Sequence, residues 1–225
     1  MFFAAVLHQF RREPALAQEH AEAAIAVSLE HGLVLYQAMA TLARGWALFN
    51  QGRQGEGIAQ MREGVAAHRA TGTEVLAPHF LAVLAEALGS CGRADEGLRI
   101  SEEALELSNR KGEGYYKAEL CRIRGELLVA MVPGSGPGKA ADGNAMVESN
   151  HPIFSEAEAC LTQAMSIAQQ QEARSWELRA ATSLARLYRR GDKQKEALDH
   201  LRRIYDSFTE GLDTPDLLAA RAELD

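Results

Sequence analysis

The sequence predicts an all-α protein built from stacked helix pairs, and three observations carry that prediction. Small residues recur at a period of about forty: Gly45, Gly57 and Gly64 are matched by Ala85, Gly97 and Ala104, and before them by Ala5, Ala17 and Ala24. Self-similarity on this scale marks a repeat array. The composition is 47% hydrophobic but only 6% aromatic, so the core is assembled from small and aliphatic side chains, as helical folds allow. Glycine then punctuates the chain at Gly32, Gly52, Gly72, Gly92 and Gly112, where helices would stop.

Taken in order, residues 2–12 place Phe2, Phe3, Val6, Leu7 and Phe10 at helical spacing, and Pro14 suits the first turn of a second helix running to His31. The first helix of this pair is short, so the chain reads as beginning inside a repeat, as a piece of a longer protein. The second unit predicts helices at about 33–51 and 54–71, and the third at about 74–91 and 94–110. The fourth begins near Glu113, reaches about Met131, and meets a Gly- and Pro-rich stretch at 132–152 that is loop by composition. The second helix of the pair resumes from Glu156 to Gln171. Removing twenty residues restores the register, because Gly125, Ala157 and Ala164 then fall on the small positions. The fifth unit is expected at about 174–190 and 193–208, with Ala185 and Ala197 at the first two small positions but Ile204 at the third. That departure fits the end of a stack, where no further helix approaches. A last short helix, with Thr214 as N-cap and Pro215 in its first turn, runs to Leu224 and caps the array. The repeats are thus about 1–32, 33–72, 73–112, 113–172 with its insertion at 132–152, and 173–208, followed by the capping helix at 213–224. All belong to one solenoid domain.

A formal charge of −7 and a pI near 5.6 argue against nucleic acid as the main ligand, since phosphate binding needs a basic face. Cys91, Cys121 and Cys160 are odd in number and form no C-x-x-C pair, which reads as free thiols in a reducing cytoplasm. The apolar opening covers seven residues with no basic segment before it, so neither a signal peptide nor a membrane span is expected.

The small residues have a packing reason. Gly or Ala at a helix crossing lets two helices approach to the short end of the usual 8–10 Å range. A glycine inside a helix costs about 1 kcal/mol against alanine, and the chain accepts that at Gly45, Gly57, Gly64, Gly97 and Gly125. The offsets, twelve and then seven residues, with Leu48, Leu88, Leu128 and Tyr188 three residues after the first small position, resemble the tetratricopeptide repeat (TPR). That resemblance implies a right-handed superhelix of about five antiparallel pairs. The usual repeat is thirty-four residues, so the longer period implies lengthened helices. At the C-terminal end the resemblance narrows. Ala173 to Tyr188, and Tyr205 to Ala220, are similar to the end of a family of large bacterial regulators. In that family a nucleotide cyclase or DNA-binding output domain is joined to an AAA/STAND-type ATPase and ends in TPR-like repeats.

Catalytic and cofactor motifs do not assemble. Gly134 to Ala140 has three residues between its glycines where a phosphate-binding loop needs four, and Ala140 stands where Ser or Thr would hold the metal. It reads as a linker. The seven histidines show no metal-ligand spacing, and no nucleophile–base set emerges. No catalytic residue, cofactor or metal is therefore expected. The sharper candidate is the concave face. The TPR resemblance places it on the second, fifth, ninth and twelfth residues of each first helix. These are Met39, Leu42, Trp46 and Phe49; His79, Ala82, Glu86 and Gly89; Glu119, Arg122, Glu126 and Val129; and Arg179, Thr182, Arg186 and Arg189. Such a groove would run from apolar through acidic to basic and would suit a peptide or neighbouring domain of matching pattern. The function expected is a non-enzymatic, protein-binding regulatory module. The alternatives are a small-molecule effector sensor of the same parent and a self-associating scaffold.

Overall fold

In a computed structural model of the chain, residues 1–112, 114–132, 152–189 and 193–225 are described. The loop expected at 132–152, with its glycine-lysine segment, lies outside them except for Val132, and for Pro152, which opens a helix. Among the described residues there are eleven helices and no strand. They are α1 Phe2–Phe10, α2 Pro14–His31, α3 Val34–Asn50, α4 Gln54–Ala70, α5 Ala77–Ser90 and α6 Ala94–Lys111. The rest are α7 Lys117–Met131, α8 Pro152–Gln170, α9 Arg174–Leu187, α10 Gln194–Tyr205 and α11 Pro215–Leu224.

Sequence punctuation explains the breaks. Pro14 opens α2, and Gly32 ends it in the left-handed conformation at φ 65°, which glycine adopts without the Cβ penalty. α5 starts three residues later than its pattern suggests, because Leu76 takes φ 61° as N-cap and Pro78 occupies the first turn. Thr214 stands at the N-cap of α11, but its hydroxyl makes no capping bond.

Each odd-numbered helix pairs with the next: α1 with α2, α3 with α4, and so on to α10. The odd-numbered helices α1, α3, α5, α7 and α9 also pack one against the next, whereas among the described residues no even-numbered helix packs on another. This asymmetry bends the stack, with α1, α3, α5, α7 and α9 on its inner, concave side. α11 packs on both α9 and α10, so it continues the inner row.

At the small positions the helices touch through backbone. A Cβ built on Gly57 would lie 2.6 Å from the Gly45 carbonyl oxygen and 2.6 Å from the Phe49 nitrogen, and one on Gly64 would lie 2.7 Å from the Leu42 nitrogen. No real Cβ fits there, so α3 and α4 are held at a distance that only glycine permits. At Gly125 the obstacle is the Leu161 side chain, 2.8 Å from the built Cβ, and the constraint is softer. Ile204 corrects its expectation: a further helix does approach, and Ile204 is buried in a cluster with Leu217 and Ala220 of α11. A larger side chain fills the space there.

The buried charge network of the concave centre

The four inner helices α3, α5, α7 and α9 carry the predicted groove residues except Arg189, which lies two residues past the end of α9, but most of them are not open surface. Met39, Leu42 and Trp46 are buried in the main core, and Phe49 packs against it half-buried. Trp46, expected on the groove, is 6% exposed. Its large, apolar indole belongs to the main core cluster, whose side chains close over it. His79 is fully buried, between the rings of Phe10, Phe80 and Tyr116 at centroid distances of 5.3, 5.5 and 4.5 Å. Both its ring nitrogens lack hydrogen-bond partners. Burial holds the ring neutral and lowers its pKa to about 4, against a smaller opposing pull from Glu119.

The acidic and basic stretches expected as separate zones meet in one network. Arg122 donates through Nε to Glu119 at 2.9 Å and through Nη2 to Glu86 at 2.6 Å, and its Nη1 pairs with Glu126 at 2.7 Å. Arg179, on the next inner helix, reaches Glu119 at 3.2 Å and Asp216 of α11 at 2.7 Å. Glu119 and Arg122 are 2% and 3% exposed. Burial pushes the Glu119 carboxyl up, but Arg122 and Arg179 outweigh it and bring its pKa down to about 2. The same carboxylates overcome burial to raise the pKa of Arg122 and of Arg179. Ser183 donates to Glu126 at 2.6 Å. Arg186 and Arg189 remain exposed, and both grip Glu223 of α11, at 2.8 Å each.

Five participants escaped the sequence reading. Tyr116 and Trp176 stand three residues before Glu119 and Arg179, in register with Tyr36 and Leu76, so the repeat count held the signal for a bulky row one turn earlier. Their rings meet edge-on at 5.5 Å, and Phe10 lies 6.2 Å from Trp176. Phe10, Arg12 and Asp216 had no such signal, because they come from the two ends of the chain. Arg179 donates to the Phe10 carbonyl at 2.6 Å, and Arg12 Nε lies 2.8 Å from Asp216 Oδ1. The Arg12 contact is a charge pairing, since its N–H is not aligned for a hydrogen bond.

Elsewhere, a cleft of about 180 Å³ opens between α4, α5 and α6, with Phe80 and Leu81 in its floor and the Arg69–Glu103 and Arg110–Glu74 pairs at its rim. The three cysteines are free. Among the described residues no group of three His, Cys, Asp or Glu side chains is placed to hold a metal ion, and no helix is long and apolar enough to cross a membrane.

With this geometry in view, comparison with known proteins adds the fold. The chain is similar to a kinesin light chain-like protein with nearly identical TPR-like repeats from Podosopora anserina. That match has 17% identity and a TM-score of 0.56, and covers 93% of this chain and 95% of the other. A variant of that protein matches with a TM-score of 0.55 and 17% identity over 91% of each chain. The fold is a TPR-like helical solenoid. No family model and no curated protein matches the sequence.

Proposed function

We propose that the chain is a non-catalytic protein–protein interaction module. It would dock a partner protein, or another domain of its own parent chain, within a bacterial ATPase- or cyclase-linked signalling or transcription regulator. The observation that carries this is the chemistry of the inner face. A stack of helices needs no charges at its concave centre, and replacing a buried ion pair by apolar groups of similar volume is often neutral or stabilising. Yet Glu86, Glu119, Arg122, Glu126 and Arg179 converge there. The edge of this face, where Glu86 and Glu126 are partly exposed and Arg186 and Arg189 exposed, offers charged groups that a partner's polar groups can meet. The TPR-like likeness supports the class of function, the resemblance of residues 173–188 and 205–220 to the ends of bacterial regulators supports the setting, the unpaired cysteines support a cytoplasmic location, and the formal charge of −7 supports the absence of direct contact to nucleic acid.

Photo-cross-linking in the parent protein tests this. A cross-linker at Arg189, just past α9, or at Phe49 of α3 should capture a defined protein or domain, and one at the exposed Glu63 of α4 should not. Capture only from Glu63 would refute an inner-face partner. An effector-sensing role is the alternative that the α4–α5–α6 cleft favours, although about 180 Å³ is small against the 300–1,000 Å³ of typical ligand sites. Self-association has its own support in the exposed Phe3 and Leu7 of α1. Sedimentation over a range of concentrations decides it.

A further inference from the structure

We propose that the α1–α2 turn and the start of α11 form an electrostatic clasp that shuts the concave face, with Arg12 as its key residue. The proposal deepens the interaction-module reading by assigning control of access to that face. α1 and α2 pack on one another and on α3, while α11 packs on α9 and α10; the two ends of the solenoid make no helix-on-helix contact. They meet through side chains. Arg12 pairs with Asp216 at 2.8 Å and with Glu86 at 3.7 Å, and Arg179 holds Asp216 and the Phe10 carbonyl together, although Phe10 and Arg179 are 169 residues apart. Phe10 then covers His79, Tyr116 and Trp176.

The backbone of Arg12 supports a dedicated role. In repeat register, position 12 corresponds to Gly52 and Gly92, which take φ 87° and 74°, and Arg12 itself sits at φ 56°. A non-glycine residue in this region is strained. Glycine would satisfy the turn; what arginine adds is the guanidinium that spans the gap. The Arg12 pairings, with an arginine 34% exposed, are screened by salt more than the buried Arg179–Asp216 pair or the apolar packing within each repeat. The joint between the ends is therefore the element of the fold that opens first.

The test uses the full chain with Cys91 replaced by serine and spin labels at two exposed sites, through Glu19→Cys and Ala222→Cys. The unmodified clasp should give a single narrow distance distribution at low salt that broadens to longer distances in 1 M NaCl. Arg12→Gly, which suits the turn conformation, should show the broad distribution already at low salt and little further response. Trp46 is buried, so acrylamide quenching reports chiefly on Trp176, and it should rise about twofold in the same variant. Asp216→Asn should behave alike and stands in if Arg12→Gly misfolds. A narrow, salt-insensitive distribution shared by the parent and both folded variants overturns the clasp. Partner cross-linking at Arg189 that persists alongside that result would leave the interaction module standing without it.

Discussion

The α3–α4 crossing and the concave centre at α7 and α9 hold the same solenoid together by opposite means. At the crossing, Gly45, Gly57 and Gly64 contribute no side chain of their own, and their backbone meets the facing helix's backbone and Cβ or Cγ atoms. At the centre, long charged side chains from α5, α7, α9, α11 and the α1–α2 turn fill the space, and each is satisfied by another's charge. The first contact is rigid because most of the atoms in it are backbone and cannot move aside. The second depends on its partners, since removing one costs the others part of their buried pairing. Repeat geometry can be built from the first kind alone, and the second is where a sequence can encode recognition.

The largest effect should come from breaking the network. Glu119→Ala takes the shared buried carboxylate from Arg122 and Arg179, which keep Glu86, Glu126 and Asp216, and a loss of about 3 kcal/mol is expected in urea unfolding. Replacing Glu119, Arg122 and Arg179 together with Leu or Met should recover most of that loss, which would separate the stability of this region from its charge.

Acid probes the same centre through His79. Its folded pKa of about 4 lies below the ordinary 6.5, so the unfolded chain binds the proton first. Stability is fully present above about pH 6.5 and is lost as pH falls toward 4, by about 3 kcal/mol. Glu119, depressed from 4.5 to about 2, adds a further loss between about pH 4.5 and 2. His79→Phe should remove most of the upper window, His68, also depressed by burial, leaving a smaller remainder, as seen in thermal melts at pH 7 and pH 5.

The crossing should answer to volume and ignore pH. Gly57→Ala gains helix propensity but drives a methyl into two backbone atoms, for a net loss of about 2 kcal/mol. Gly125→Ala meets a movable leucine and should cost under about 1 kcal/mol by the same measure. Urea midpoints for the two variants rank them directly. Smallest and opposite in sign, Gly55→Ala has open space around its new methyl and should stabilise α4 by about 0.5 kcal/mol. An equal loss at Gly55 and Gly57 would mean that propensity, not contact, governs the crossing.

The sequence by itself determined the repeat. The small residues at offsets of twelve and seven, the glycines that end helices, and the register that survives the insertion are all local or periodic signals, because an α-helix repeats its faces every few residues. The same count placed Glu119, Arg122 and Arg179 on one side of the stack. It could not say that Trp46 is buried, because how far neighbouring repeats close over a side chain depends on the curvature summed over the whole array. Nor could it pair Arg12 with Asp216, or bring the Phe10 carbonyl to Arg179. Those contacts join residues that no period relates, and they exist only because five stacked pairs curve far enough for the first turn to meet the last helix.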